Sequence, residues 1–181
     1  MIELLVAVLI IGVLAAVMVP RLLGQRDRAR DSAAVNAVRI ALGAAETYYY
    51  TNDQSFAGLK PSTLKALEPA LYRSAADMPP LTWTPGPHAD PTRIAIFRFD
   101  GTPVTETSGV SLSASVILCS VSEATTIVCV YSERYPTTAA VHWARLTDDR
   151  SGQFSLSDIN GAGAGARTPN SISGVTWRPQ L

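Results

Sequence analysis

An α+β fold is predicted for this 181-residue chain, with a long N-terminal helix whose C-terminal half packs on an antiparallel β-sheet. Two observations lead to this class. The first 50 residues keep a helical pattern, whereas the remainder contains several strand-like runs joined by short links, which favour antiparallel pairing. With 47% hydrophobic residues, the chain suits one domain of modest core plus an additional apolar element.

The N-terminal element opens with an apolar run. Residues Leu4 to Val19 are sixteen consecutive apolar or small residues, preceded by a single charge at Glu3. A spanning helix needs about 20 such residues, so the run is marginal as a membrane anchor. A signal peptide opens with basic residues and ends at a small-residue cleavage site. An acid opens this run and Pro20 follows it, which disfavours a removed signal.

After Pro20 the pattern becomes amphipathic, with a spacing of three and four residues that predicts one helical face. The apolar face is predicted to comprise Ala33, Ala37, Ile40, Ala41, Ala44, Ala45 and Tyr48. The face toward water or a neighbour is predicted to carry Arg26, Asp27, Arg30, Asp31, Asn36, Arg39 and Glu46.

Residues 1–50 then form a rod of about 75 Å at 1.5 Å per residue, longer than a globular domain of this size. Half of the rod must protrude, and the protruding half is the apolar one. The N-terminal helix, residues 1–50, thus divides into an apolar segment, residues 1–20, and an amphipathic segment, residues 21–50, and the globular sheet domain comprises residues 51–181. Pro20 lacks the helical N–H and Gly12 is a poor helix former, so a kink or melted stretch is expected between them. The helix should end near residues 51–53, where turn-forming residues interrupt the periodicity.

The globular part is predicted to begin with a short helix, Ser62 to Leu71, and a proline-rich loop. Strands are predicted at Arg93–Phe99, Val110–Val121, Thr126–Ser132, Ala139–Leu146 and Gln153–Leu156, with Ile172–Trp177 as a closing edge strand. The glycine–alanine run at 160–166 is predicted to be a surface loop.

Cys119 and Cys129 lie in two of these strands, on either side of the polar stretch from Ser120 to Thr125. If the hairpin is centred on Ala124, the two cysteines lie directly opposite, at a distance that allows a disulfide. Two buried free thiols are the alternative. A metal site would need further Cys or His ligands at short spacing, and none are present.

Glu3 is the most informative single residue. An ionised carboxylate in a bilayer interior costs about 2.5 to 3.5 kcal/mol, so an acid in an apolar segment usually has a partner. One candidate is the N-terminal amine of a neighbouring subunit, which would cancel both charges in an apolar bundle. The alternative is that Glu3 stays at the headgroup level, and these physical arguments do not separate the two.

The run MIELLVAVLIIGVLAAVMVP, from Met1 to Pro20, resembles the N-terminal signature of type IV pilins and type II secretion pseudopilins. The spacing from acid to glycine to proline also fits that signature. Tyr48 to Phe56 is similar to the tyrosine-rich helix end and turn of the same families. Beyond these segments the chain gives no sharp match.

The resemblance implies a pilin-like structural subunit of a helical filament of identical copies, exposed at the cell surface. Glu3 would neutralise a neighbour's N-terminus, the segment from Gly12 to Pro20 could lose helicity, and the apolar run would be membrane anchor first and filament core afterwards. The core residues implied are Leu4, Leu5, Val8, Leu9, Ile11, Leu14 and Val17.

The resemblance also implies an inner-membrane precursor, a prepilin peptidase and a pilus assembly machinery as partners. The mature chain would begin with an N-methylated phenylalanine two residues before Met1. The preferred interpretation is that two mature residues precede the sequence, so that Met1 is not the initiator; the alternative is that Met1 is not the native first residue. A pseudopilin of a secretion or DNA-uptake system is the alternative within the family.

A membrane-tethered binding domain or enzyme is the alternative from another class. His88 and His142 have no partners in a catalytic pattern, and no nucleophile elbow or phosphate loop occurs, so neither an enzyme nor a cofactor is expected. The net charge of zero offers no global attraction to nucleic acid, although the arginines at 21–30 could touch DNA. A minor alternative is calcium bound by oxygens of Asp148, Asp149, Ser151, Ser157, Asp158 and Asn160.

Overall fold

A computed structural model describes residues 2–72, 82–83, 89–98, 104–110, 114–124, 126–135, 138–147, 154–155 and 178–180. Two helices and six strands occur in these ranges: α1 (Ile2–Thr51), α2 (Pro61–Leu67), β1 (Thr82–Trp83), β2 (Ala95–Phe97), β3 (Ser115–Val121), β4 (Thr126–Tyr135), β5 (Thr138–Thr147) and β6 (Phe154–Ser155). The predicted α+β class, an N-terminal helix with an antiparallel sheet, is therefore confirmed.

Helix α1 is continuous over 50 residues, through both Gly12 and Pro20. Its end lies where the sequence predicted it. The Asn52 N–H donates to the Tyr48 carbonyl at 2.9 Å, and Asp53 and Gln54 then take left-handed φ angles of 50° and 55°. These left-handed residues turn the chain away from the helix axis.

Four strands form one antiparallel sheet in the order β2-β3-β4-β5, so each strand pairs with its sequence neighbour. Ile96, Leu118, Val130 and Trp143 lie side by side across it and face α1, whereas the adjacent row, Ala95, Cys119, Cys129 and Ala144, faces away. The two-stranded pairing of β1 with β6 is separate. At the β5 edge, Trp143 and Arg178 form an antiparallel bridge.

The main core lies between the C-terminal half of α1 and the inner sheet face. The buried helix positions are Ala34, Ala37, Val38, Ala41, Ala44, Ala45 and Tyr49. The predicted face was right at 37, 41, 44 and 45 but wrong at Ala33 and Ile40, which are exposed, and Tyr48 is only half-buried. The line of contact follows 34, 38, 41, 45 and 49, so the buried face is rotated around the helix axis relative to the predicted face and overlaps it in part.

The remaining boundaries shift modestly. Helix α2 begins at Pro61, whose fixed φ suits a first helical turn, and ends at Leu67 rather than at Leu71. Leu71 and Tyr72 follow it as buried turn residues. Strands β2 and β3 are shorter than predicted, and β4 extends to Tyr135. The predicted strand Ile172–Trp177 and the 160–166 loop lie outside the described residues.

Candidate functional site

The first four to five turns of α1 expose apolar side chains to solvent. Ile2 is 78% exposed, Leu9 is 68% and Met18 is 59%. Such residues point in every direction around the helix, because they follow one another without a polar interruption from position 4 to 16. A helix that is apolar all round is normally buried, so this surface is the strongest candidate for an interaction site.

The residues named as filament core all lie on this surface. Leu4, Leu5, Val8, Leu9, Ile11 and Leu14 are helical, and each is more than half exposed. Val17 is helical as well, but its side chain lies outside the described residues. Their role in a filament stays a prediction.

Glu3 lies in the first turn of α1 and is exposed. A carboxylate at this position is favoured by the unpaired N–H groups and the positive end of the helix dipole. No ion pair or hydrogen bond joins it to any other residue that the structure describes. It is the sole acid among residues 2–26, so it carries the only negative side-chain charge of the protruding half.

Gly12 and Pro20, predicted to mark a kink or a melted stretch, lie within the uninterrupted helix. A Cβ added at Gly12 would meet nothing within 4 Å, so the glycine is not required by packing in the isolated chain. If a glycine is required at this position, the reason is close packing against a partner or a local loss of helical structure.

Where the exposed half of α1 joins the globular part, Asp31 ties the helix to the sheet. The Ser122 hydroxyl donates to Asp31 Oδ1 at 2.6 Å, and the Thr126 hydroxyl and Arg145 Nη2 donate to Oδ2 at 3.0 and 2.6 Å. Asp31 thus joins α1 to the two residues that flank the β3–β4 turn and to β5. We call Asp31, Ser122, Thr126 and Arg145 the Asp31 cluster.

Two further ion pairs join α1 to the sheet. Glu46 pairs with Arg134, and Arg30 lies between Asp27 and Glu123, at 3.5 Å from each carboxylate. The sequence placed Asp31 and Glu46 on the water-facing side, which is wrong, since both bind the sheet. A signal existed for Asp31: it lies three, seven and ten residues before the buried positions 34, 38 and 41, and therefore on the same face.

The predicted cysteine pair is confirmed. Cys119 and Cys129 are opposite residues in the β3–β4 register, with Cα atoms 4.1 Å apart, and form a disulfide. The register is centred on Ala124, as the spacing predicted. Both residues are buried on the sheet face that points away from α1.

Other candidate chemistry finds little support in the described part of the chain. His142 stacks on Tyr131 with ring centroids 6.3 Å apart, in a half-buried sheet position. His88 and the six oxygen-bearing residues between 148 and 160 lie outside the described residues. Among the residues described, no group of three or more His, Cys, Asp or Glu is placed to hold a metal ion.

None of the helices formed by the described residues has both the length and the apolarity that crossing a membrane requires.

Comparisons with protein-family models, with curated proteins and with solved structures found no match for this chain.

Proposed function

We propose that the chain is a structural subunit, a pilin, of an extracellular type IV pilus-like filament that assembles through its apolar N-terminal helix. One observation carries the proposal: the N-terminal half of α1 is apolar around its whole circumference and exposed, while its C-terminal half is anchored in a folded domain. In a filament of identical subunits, the same helix of neighbouring copies would cover this apolar surface.

Burial of this surface is a sufficient driving force. Eleven large apolar side chains between Ile2 and Met18 are at least half exposed. At about 1.5 to 3 kcal/mol for a fully buried side chain, their burial contributes on the order of 20 kcal/mol per subunit. Association costs about 4 to 15 kcal/mol in lost freedom, so apolar burial exceeds that cost.

Glu3 then determines how far neighbouring helices are offset along their axes. Burial of an unpaired carboxylate costs a few kcal/mol, less than the apolar gain, so Glu3 does not prevent association but disfavours any arrangement that leaves it unpaired. The resemblance to pilins points to the N-terminal amine of an adjacent copy as the partner of this carboxylate. Glu3 therefore selects the arrangement in which neighbouring helices are offset so that the two charges meet.

The globular part suits a subunit exposed outside the cell. Its disulfide is of the kind that persists in oxidising compartments. The Asp31 cluster and the Glu46–Arg134 pair hold the rod at a fixed angle to the sheet, which a repeating lattice needs. In this proposal the helix-on-sheet packing is pilin-like, and the precursor is a membrane protein processed by a prepilin peptidase before a pilus machinery assembles it.

The experiment compares two isosteric charge removals, Glu3→Gln and Asp53→Asn, in cells that assemble the filament. Asp53 is a suitable control because it is exposed, has no partner among the described residues, and has a left-handed φ that Asn tolerates. We expect Glu3→Gln to abolish or greatly reduce surface filaments seen by electron microscopy at unchanged protein level, and Asp53→Asn to leave them unchanged.

Normal filament yield from Glu3→Gln would remove Glu3 from the mechanism. The filament function itself fails if the wild-type chain stays monomeric after detergent removal and forms no assembly in cells. Filament length distinguishes a pilin from a pseudopilin, because a pilin is expected to form long surface filaments and a pseudopilin only short filaments or none. A tethered binding domain or enzyme would instead function as a monomer.

A further inference from the structure

A cleft of about 420 Å³ lies between α1 and β5. Arg28, Val35, Asn36 and Arg39 line it from the helix, and Arg145 lines it from the strand. Arg28 and Arg39 are eleven residues apart, close to three helical turns, so both project from the same face of α1 toward the same opening.

The lining carries an excess of positive charge. Three guanidinium groups face one carboxylate, that of Asp31, so the lining side chains sum to +2. Both Asp31 oxygens already accept hydrogen bonds from the Asp31 cluster. Within the described part of the chain, no ion pair or hydrogen bond occupies the guanidinium of Arg28, and Arg145 uses only part of its set of donors on Asp31.

Two of the three arginines are held in place by the fold. The Arg39 guanidinium carbon lies 5.9 Å from the centre of the Trp143 ring, a cation–π geometry. Arg145 is fixed by its contact with Asp31. Ordered donors lose little side-chain entropy when a ligand binds, so the cleft is partly preorganised for an anion.

We propose that this cleft binds a phosphate monoester. A carboxylate presents two oxygens in one plane and is satisfied by a single guanidinium fork, whereas a phosphate has oxygens that point in several directions. Donors from opposite walls, Arg28 and Arg39 on the helix and Arg145 on the strand, therefore fit a tetrahedral dianion. Its charge also matches the +2 of the lining.

The size of the cleft adds to the assignment. Its volume is in the range of small-molecule sites and exceeds what a bare phosphate ion fills. Asn36 offers an amide and Val35 an apolar surface for the organic part of the ester. This site is separate from the apolar half of α1, so it does not depend on filament assembly.

The test uses the full chain in a nonionic detergent that covers the apolar half of α1, and isothermal titration calorimetry with glycerol phosphate, inorganic phosphate and acetate at matched ionic strength. We expect saturable binding of glycerol phosphate, at least as tight as inorganic phosphate and at least about tenfold tighter than acetate. Equal affinity for acetate, or no saturation up to about 10 mM glycerol phosphate, would overturn the assignment.

Arg28→Gln/Arg39→Gln is the test variant, because neither residue takes part in the ion pairs that join α1 to the sheet. Its affinity should fall at least about tenfold, whereas Arg26→Gln, an exposed arginine of the same helix outside the cleft, should change affinity less than twofold. Equal losses in both would show general electrostatic attraction and refute a built site.

Trp143 gives a second readout, since its fluorescence should respond to the ligand in the wild type and not in the double variant. Titration of phosphatidic acid in the same micelles distinguishes a lipid headgroup from a soluble ester as the source. These measurements need no filament, so their failure would leave the proposed function intact.

Discussion

Asp31 and Arg145 form an ion pair of 2.6 Å across 114 residues of sequence. The Asp31 side chain is 16% exposed and Arg145 is half exposed, so solvent screens the pair only in part. Because Asp31 also accepts two hydroxyl hydrogen bonds, one carboxylate positions the long helix against β3, β4 and β5 together. The angle at which the apolar rod leaves the domain therefore depends on this contact.

Substitution of Asp31 should destabilise the globular part. Asp31→Ala leaves the Ser122 and Thr126 hydroxyls and Arg145 without their acceptor, and we expect a loss of about 2 to 3 kcal/mol in the free energy of unfolding. Urea unfolding of the full chain in detergent measures it. Asp27→Ala is the matched control, since Asp27 is 61% exposed and its ion pair is longer, and it should cost less than about 0.5 kcal/mol. Equal effects would contradict a special role for Asp31.

The disulfide between Cys119 and Cys129 should be present in the purified protein and should stabilise it. Intact mass after alkylation without reductant is expected to show no modification, and after reduction two; two alkylations without reductant would refute the bond. The bond closes a ten-residue separation, so Cys119→Ala/Cys129→Ala should lower the free energy of unfolding by about 2 to 3 kcal/mol.

Tyr72 should make stability fall at alkaline pH. Its buried hydroxyl donates to the Ile94 carbonyl at 2.6 Å, and burial, aided by the Glu106 charge and opposed by Arg93, raises the pKa of Tyr72 above its usual value. A raised folded-state pKa means that this contribution is complete below the unfolded pKa of about 10 and is lost as the pH rises past it. Stability should therefore decline above about pH 10 as the phenolate forms on unfolding.

Tyr72→Phe tests this pH dependence. It should cost about 1 kcal/mol at pH 7, where the hydrogen bond is lost, and its stability should decline less steeply above about pH 10. Urea unfolding at several pH values from 7 to 11 measures both. Tyr50→Phe, at a 66% exposed position, should match the wild type throughout. A parallel decline for Tyr72→Phe and wild type would show that other groups cause the alkaline loss.

The close approach of α1 to the sheet depends on alanines. Ala41 is fully buried, so Ala41→Leu should overpack the interface and cost about 1 to 3 kcal/mol. Gly43 lies two residues away on the exposed side, where an added Cβ meets nothing within 4 Å, so Gly43→Ala should stabilise by about 0.5 to 1 kcal/mol. Thermal unfolding followed by circular dichroism should give opposite signs, and the same sign for both would contradict this packing.

A charge inside the apolar half of α1 should stop assembly without affecting the fold. Leu9→Glu buries an unpaired carboxylate in the proposed filament core, so filaments should be lost while the unfolding midpoint of the globular part stays unchanged. Leu67→Glu, at the end of α2 and 41% exposed, is the control and should assemble normally. Electron microscopy and urea unfolding of both variants provide the two readouts, and normal filaments from Leu9→Glu would exclude this segment from the core.

Local patterns were sufficient to predict several features of this protein. The uninterrupted apolar run, the helix end near Thr51 and the pairing of Cys119 with Cys129 each depend on residues close in sequence, where periodicity, turn chemistry and hairpin register act directly. The same applies to the antiparallel class, since short links leave few other ways to pair consecutive strands.

Tertiary structure decided the features that join distant segments. Periodicity shows that one side of α1 is apolar, but the line of contact, through Ala34 and Val38 rather than Ala33 and Ile40, is set by the surface that the assembled sheet presents. The three partners of Asp31 lie 91, 95 and 114 residues further along the chain. The partner of Glu46 lies 88 residues further along. From the sequence alone, a charged residue at the edge of a helical face is predicted to face water. The periodic pattern indicates which side of the helix is buried, but it does not identify the distant strand residue that pairs with the charge.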